Sequence, residues 1–351
     1  MSKDKIKVSI VGVTGYAGGE LLRLLLAHQA VKIRHITAAK SFIGQEVTAS
    51  YPYLQGLCSL KIEKTDIDIV VEDSDLIFLA MPAGQGIEPA AKAVAKGKKI
   101  IDISTDFRFA DTAVYEQWYG VQHDHPELAA SAVYGLPELY RHQVAKAEIV
   151  ANPGCFPTAS LLALYPLFKA GLAKDNSVII DAKSGVSGAG RTPTANNIYA
   201  QVNENIKPYN VAIHRHTPEI EQILTRISGQ EQLINFTPHL TPMTRSILST
   251  VYADLKVPSS AAKLIDLYRQ TYADEYFVKV HDEGVWPQSK WTWGSNFCHI
   301  GVTYDPRTQR AVACAAIDNL VKGAAGQAVQ NMNILFGLPE NQGLELVPVF
   351  P

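Results

Sequence analysis

Val8-Ser9-Ile10-Val11-Gly12-Val13-Thr14-Gly15-Tyr16-Ala17-Gly18-Gly19-Glu20-Leu21-Leu22-Arg23-Leu24-Leu25-Leu26 passes from an apolar run through a glycine turn into apolar residues at helical spacing. Strand, glycine turn and helix in this order form the dinucleotide-binding arrangement. Glycines let the backbone approach a pyrophosphate, and the helix N-terminus offers N–H donors and a favourable dipole. The spacing is GxxGxxG, an extended turn of the kind many NADP enzymes use, with a plain packing turn as the alternative. Gly12, Thr14, Gly15, Tyr16, Ala17 and Gly18 are therefore candidate cofactor-binding residues. The next apolar run, residues 32–37, ends in Ala38-Ala39-Lys40-Ser41, where an NAD-preferring site carries Asp or Glu for the ribose 2′-hydroxyl. With no carboxylate there, Lys40 and Ser41 are read as receiving a 2′-phosphate, which predicts NADPH over NADH. The other reading of Lys40 is a solvated surface charge.

Outward from this turn the α/β rhythm continues. Residues 75–82 and 99–104 are continuous apolar runs separated by a helical pattern around residues 88–95, as expected of parallel strands covered on both faces. The N-terminal part is thus expected to be a doubly wound sheet. Ser104-Thr105-Asp106-Phe107-Arg108-Phe109 then falls at the carboxyl end of that sheet, where ligands bind in such folds. Arg108 is a candidate anion clamp, since a guanidinium holds phosphate or carboxylate in bidentate geometry. Pairing with Asp102, Asp106 or Asp111 is the alternative.

Ala151-Asn152-Pro153-Gly154-Cys155-Phe156-Pro157-Thr158 places a cysteine where a strand end gives way to a helix running from about residue 158 to 169. Unpaired N–H groups and the positive end of the helix dipole favour a thiolate there over a thiol, whose ordinary pKa is about 8.5. Cys155 is accordingly the candidate nucleophile, against the alternative of a buried structural thiol. Asn152, or the helix-start N–H groups, would stabilise an oxyanion.

Beyond this point the pattern changes. Residues 177–183 form a strand opening into Ser184-Gly185-Val186-Ser187-Gly188-Ala189-Gly190-Arg191, a loop suited to close approach of a ligand's nicotinamide or phosphate end, or a flexible turn. Ala212-Ile213-His214-Arg215-His216-Thr217-Pro218-Glu219 reads as a strand end followed by a helix with Thr217 at its N-cap. A lone HxH is a poor metal signature, so no metal is expected, and a histidine oriented by Glu219 to manage protons beside a thiol is preferred. His216 is the first choice and His214 the second. Residues 233–237, 246–255, 276–280, 297–304 and 311–317 read as longer strands interrupted by a helix at 261–271, an α+β region with a mixed or antiparallel sheet. Residues 318–333 read as a helix rich in small residues that returns to the first domain.

Composition limits the function classes. A length of 351 residues suggests about two domains, and a formal charge of −2 with dispersed Lys and Arg gives no basic stripe for nucleic acid. No apolar run approaches the roughly 18 residues of a membrane span. Met1-Ser2-Lys3-Asp4-Lys5 leads into a strand without the apolar stretch of a signal peptide, and Cys58, Cys155, Cys298 and Cys314 include no CxxC pair, so a reducing cytoplasm is expected. The expected partners are small molecules.

Taken together, Gly12 to Gly18, Asp106-Phe107-Arg108, Tyr134-Gly135-Leu136-Pro137-Glu138, Asn152-Pro153-Gly154-Cys155, Ser184 to Arg191, His214-Arg215-His216, Thr237-Pro238-His239-Leu240 and the closing run from Asn319 to Asn331 resemble the N-acetyl-γ-glutamyl-phosphate reductase family, related to aspartate-semialdehyde dehydrogenase. The resemblance spans essentially the whole chain. It implies an α/β plus α+β protein: a Rossmann-type doubly wound NADP-binding domain (residues 1–154 plus 317–351) and an α+β catalytic and dimerisation domain on a mixed sheet (155–316). It further implies NADPH-dependent reduction of an acyl phosphate through a Cys155 thioester, in a homodimer or homotetramer. Arg108, Ser184 and Tyr209 are the candidate substrate-binding residues, and Ser187, Gly188 and Asn319 join the candidate cofactor set. A carrier-linked aminoadipyl-phosphate reductase of lysine biosynthesis shares every catalytic motif, although the slightly acidic chain argues against an acidic carrier protein. A dinucleotide-sensing regulator without catalysis is the reading from a different class.

Overall fold

A computed structural model describes residues 5–351; Met1 to Asp4, part of the segment read above for a signal peptide, lie outside the described residues. The chain forms two units, one running to Pro153 and taking back Ala324–Glu345, the other comprising Gly154–Gly323 and Leu346–Pro351.

The first unit is built on strands β1 (Ile6–Val11), β2 (Val31–Thr37), β3 (Leu76–Leu79), β4 (Lys99–Asp102), β5 (Val133–Tyr134) and β6 (Ile149–Ala151). They lie in the order β2-β1-β3-β4-β6-β5 with every neighbouring pair parallel. All of β3 is buried, as its unbroken apolar run requires. The chain leaves β1 for β2 on one side and reaches β3 on the other, so the order reverses at β1. In such sheets the crevice beyond that strand's carboxyl end is the ligand position, and the glycine turn occupies it. The helix Gly326–Leu335 packs against the helices Tyr16–Ala27 and Pro137–Val144. Its Asn331 Nδ2 donates to the Gly135 carbonyl at 2.9 Å, and Asn333 Oδ1 lies 3.0 Å from His28 Nε2.

The second unit carries β7 (Ile179–Gly185), β8 (Lys207–Pro208), β9 (Asn235–Thr241), β10 (Ile247–Asp254), β11 (Val278–Val280), β12 (Cys298–Asp305) and β13 (Arg310–Ile317). They form one mixed sheet in the order β11-β12-β13-β10-β7-β9-β8, parallel at β11/β12 and β7/β9 and antiparallel elsewhere. Burial alternates residue by residue along β10, because one face packs on the helix Cys155–Lys169 while the other is half-exposed.

Five expectations change. Residues 317–323 and 346–351, expected with the first unit, belong to the second: β13 ends at Ile317, Asp318 accepts the Gly294 N–H at 2.8 Å, and the Val349 N–H donates to the Trp293 carbonyl at 3.1 Å. The segment before the second histidine is a turn, since Asn210 and Ala212 adopt positive φ (47° and 63°) and end any extended run. His216, not Thr217, is the N-cap of the helix Thr217–Ser228. The closing run is not one helix: a π-helical turn, Val321–Ala325, precedes Gly326–Leu335. Lastly, β9 continues through Pro238 to Thr241, past the proline at which the sequence reading stopped.

Candidate active site

In the first unit the glycine turn is anchored by its own backbone. The N–H groups of Gly12 and Val13 both donate to the Thr37 carbonyl at the end of β2, at 2.9 and 3.0 Å. Gly12 has φ +99°, and a Cβ there would overlap the Ala80 carbonyl, so no other residue fits. Gly15 is the N-cap of the helix Tyr16–Ala27 and supplies no capping side chain, which leaves the first-turn N–H groups of that helix for a ligand. Lys40 and Ser41 stand exposed in a short 3-10 turn, Lys40–Phe42, just beyond β2. An uncapped helix start and an exposed ammonium are the kinds of group that hold phosphate.

Opposite Lys40 in the sequence order, the loops after β3 and β4 are tied together by one carboxylate. Asp106 accepts the N–H groups of Gly84 and Gly86 at 2.8 and 2.9 Å and the Tyr115 hydroxyl at 2.8 Å. Asp102, wholly buried, receives the backbone N–H groups of Ser104 and Asp106; burial first, and then the neighbouring Asp106 charge, raises its pKa above the usual carboxylate range. Arg108 is buried and spends its Nε on the Asn152 carbonyl at 2.9 Å, binding the ends of β4 and β6 together. Asn152 itself is fully buried, with Nδ2 donating to the Ala324 carbonyl at 3.0 Å and Oδ1 accepting from Asn331 at 3.2 Å.

In the second unit Cys155 is the first residue of the helix Cys155–Lys169 and is partly exposed. The preceding N–H, that of Gly154, donates to Glu219 Oε1 at 2.8 Å, so the first turns of the helices Cys155–Lys169 and Thr217–Ser228 meet at this point. Glu219 is completely buried. The following residue, Phe156, sits 6.0 Å ring to ring from His216 and 5.7 Å from His214. His214 and His216 are 4.8 Å apart, and the His216 backbone N–H donates to His214 Nδ1 at 3.1 Å. That bond places the ring proton of a neutral His214 on Nε2. Burial, with Arg215 nearby, lowers the His214 pKa to about 4, so it is neutral at physiological pH. Tyr209 lies 5.4 Å ring to ring from His214; burial and then the Cys155 charge raise its pKa.

The loop after β7 is closed upon itself. Ser184 is buried and its hydroxyl donates to the Gly185 carbonyl at 2.9 Å. Asn319 Nδ2 donates to Ser187 Oγ at 2.9 Å while its Oδ1 accepts the Ser246 N–H at 2.7 Å, and a Cβ on Gly188 would sit 3.7 Å from that amide. Ser187, Gly188 and Asn319 thus form one cluster in the second unit.

Two further residues were not singled out from the sequence. Gly323, inside the π-helical turn, lies so close to the candidate nucleophile that a Cβ there would be 2.8 Å from Cys155 Cβ. Its signal was present in the small residues of the closing run. Tyr51, which holds the glycine turn of the first unit, carries no local signal that distinguishes it from other aromatic residues, while Asp106, read from the sequence as a possible partner of Arg108, binds Gly84, Gly86 and Tyr115. Among the described residues no group of three or more His, Cys, Asp and Glu side chains is placed to hold a metal ion.

The profile of the semialdehyde dehydrogenase NAD binding domain matches residues 7–147, and that of the semialdehyde dehydrogenase dimerisation domain matches residues 155–319. The chain is 54% identical, over 99% of its length and all of the relative's, to the N-acetyl-gamma-glutamyl-phosphate reductase of Heliobacterium modesticaldum. It is 50% identical, over 99% of both chains, to that of Pelotomaculum thermopropionicum. This chain belongs to the N-acetyl-γ-glutamyl-phosphate reductase family. Members of that family share their fold with aspartate semialdehyde dehydrogenases: the Vibrio cholerae enzyme II, solved with ASA, superposes with a TM-score of 0.74 at 18% identity over 95% of this chain and 99% of its own. The Candida albicans enzyme, solved with NADP, gives 0.72 at 14% identity over 95% and 99%.

Proposed function

We propose that this protein reduces N-acetyl-γ-glutamyl phosphate to N-acetyl-L-glutamate 5-semialdehyde, using NADPH and releasing inorganic phosphate, in arginine biosynthesis. The observation that carries the reading is Cys155 at the first position of a 15-residue helix, with the adjoining Gly154 N–H on Glu219 and the adjoining Phe156 ring 6.0 Å from His216, in a chain whose full-length relatives bear that enzyme's name. The names favour the small acetylated substrate over a carrier-linked one, and a complete set of reactive residues favours an enzyme over a sensor.

In this mechanism Cys155 gives its proton to His216, and its sulfur attacks the acyl carbon of the substrate. A C–S bond forms, the bond to the phosphate oxygen breaks, and phosphate departs, leaving a thioester on Cys155. The oxyanion of each tetrahedral adduct is met by N–H groups of the helix's first turn, because the Asn152 amide is turned toward Ala324 and Asn331. NADPH, when bound, supplies the hydride that converts the thioester to the aldehyde. Collapse of the second adduct returns the thiolate to Cys155. His216 is the proton-handling residue, and His214, neutral and holding the His216 backbone through Nδ1, positions it. Gly12, Thr14, Gly15, Tyr16, Ala17 and Gly18 cradle the pyrophosphate, with Lys40 and Ser41 at the 2′-phosphate. Ser187, Gly188 and Asn319 face the nicotinamide end, and Arg108, Ser184 and Tyr209 are assigned to the substrate, Arg108 through whatever guanidinium surface its backbone bonds leave. The enzyme works in the cytoplasm as a homodimer or homotetramer.

The decisive experiment is the reverse reaction, phosphate-dependent reduction of NADP by the semialdehyde. Wild type should turn over and Cys155→Ala should lose at least about 10³-fold while still binding NADPH. Activity retained in the variant would remove the covalent mechanism. A folded, NADPH-binding wild type without turnover would transfer the reading to a carrier-linked substrate or a sensor.

A further inference from the structure

We infer that Tyr51 is a positioning residue of the cofactor site, holding the glycine turn in the orientation that presents its N–H groups to a pyrophosphate. The inference rests on the cofactor reading above. Tyr51 lies far from the turn in sequence, between two 3-10 turns, Val47–Ala49 and Pro52–Leu54, in the excursion that follows β2. Its hydroxyl donates to two carbonyls of the turn, Gly15 O at 2.8 Å and Val13 O at 3.1 Å. In a trans peptide the N–H points opposite to the C=O. Drawing the carbonyls of Val13 and Gly15 toward one hydroxyl therefore directs the N–H groups of Thr14 and Tyr16 away from it. The Tyr16 N–H belongs to the first residue of a helix, where no intrahelical acceptor exists.

A second observation shows that the ring's place is built into the fold. Gly19 lies in the first turns of the helix Tyr16–Ala27, and a Cβ on it would overlap the hydroxyl end of the Tyr51 ring, 2.5 Å from the hydroxyl oxygen and 2.8 Å from Cε1. A glycine inside a helix costs about 1 kcal/mol relative to alanine, so its presence there needs a cause, and the cause is this aromatic ring. The fourth glycine of Gly12-Val13-Thr14-Gly15-Tyr16-Ala17-Gly18-Gly19 thus serves Tyr51, while Gly12 serves the turn's own backbone. Tyr51 is almost wholly buried.

The test uses the full chain with two probes: NADPH, which carries a pyrophosphate, and adenosine 2′-monophosphate, which does not. Tyr51→Phe keeps the ring and removes only the hydroxyl; Gly19→Ala displaces the ring by steric overlap. Both should weaken NADPH about tenfold and change adenosine 2′-monophosphate binding by less than about twofold, the loss expected when charge-assisted hydrogen bonds are misaligned. Equal weakening of both probes would mean that Tyr51 supports the unit in general, and unchanged NADPH binding would mean that the turn holds its shape without it; either result overturns the inference. Wild type that fails to bind NADPH would instead bring down the cofactor reading, and this inference with it.

Discussion

At the scale of single residues, the proposed nucleophile is governed by what stands beside it. Gly323 approaches Cys155 so closely that Gly323→Ala must displace the sulfur-bearing side chain or the π-helical turn. A shift of about 1 Å at a reacting atom costs on the order of 10²-fold in rate. The expected outcome is a loss of that size in kcat with the melting temperature nearly kept; unchanged kcat would show that the turn yields without moving the thiol. His214 makes a different prediction. Its folded-state pKa of about 4 lies below the ordinary 6.5, so between those values the unfolded chain binds more protons, and the stability that neutral His214 contributes is lost as pH falls through that window. At about pH 5 the loss is about 2 kcal/mol. His214→Asn, which can still accept the His216 N–H, should show a smaller drop in melting temperature between about pH 7 and about pH 5 than wild type, and an equal drop would contradict the assignment. The placement of Cys155 at a helix start was legible in the sequence because Pro153-Gly154 and the helix pattern are local signals. The choice between His214 and His216 was not, because it depends on burial and on which ring nitrogen meets a backbone N–H.

At the scale of elements, the Glu219 carboxylate joins the starts of two helices. It is fully buried and accepts the Gly154 N–H, so Glu219→Ala leaves an orphaned buried donor next to Cys155 in the chain. A destabilisation of about 2 to 3 kcal/mol in urea unfolding is expected, with Glu219→Gln recovering most of it because an amide oxygen still accepts that bond. Equal losses in the two variants would show that charge rather than the hydrogen bond matters. The parallel strands of the first unit could be read from the sequence because both faces are covered and their apolar runs are unbroken. The turn before His214 could not, since apolar Val211 and Ile213 there are exposed and only the positive φ at Asn210 and Ala212 reveals the bend. Pro238 misled for the opposite reason: a residue that ordinarily ends a strand lies within β9, where its carbonyl still accepts the Tyr209 N–H at 3.1 Å.

At the scale of the whole molecule, each unit is assembled from pieces distant in sequence. The helix Gly326–Leu335 completes the first unit through Asn331 and Asn333, and Arg141 pairs with Glu340. A chain stopped after Gly323 should therefore fail to bind NADPH, and a fluorescence titration that found undiminished affinity would show that the N-terminal residues suffice. The broad two-part architecture was legible because the apolar periodicity changes after Cys155, whereas the crossing points of the C-terminal chain were not, being set by packing partners rather than by pattern. The same arrangement orders events on the ribosome. Everything up to Pro153 emerges first, but its last helix is translated only after Gly154–Gly323 has been made. Nascent chains thus carry Cys155 before they carry a finished first unit, and NADPH binding by the growing chain should begin only once Gly326–Leu335 has emerged.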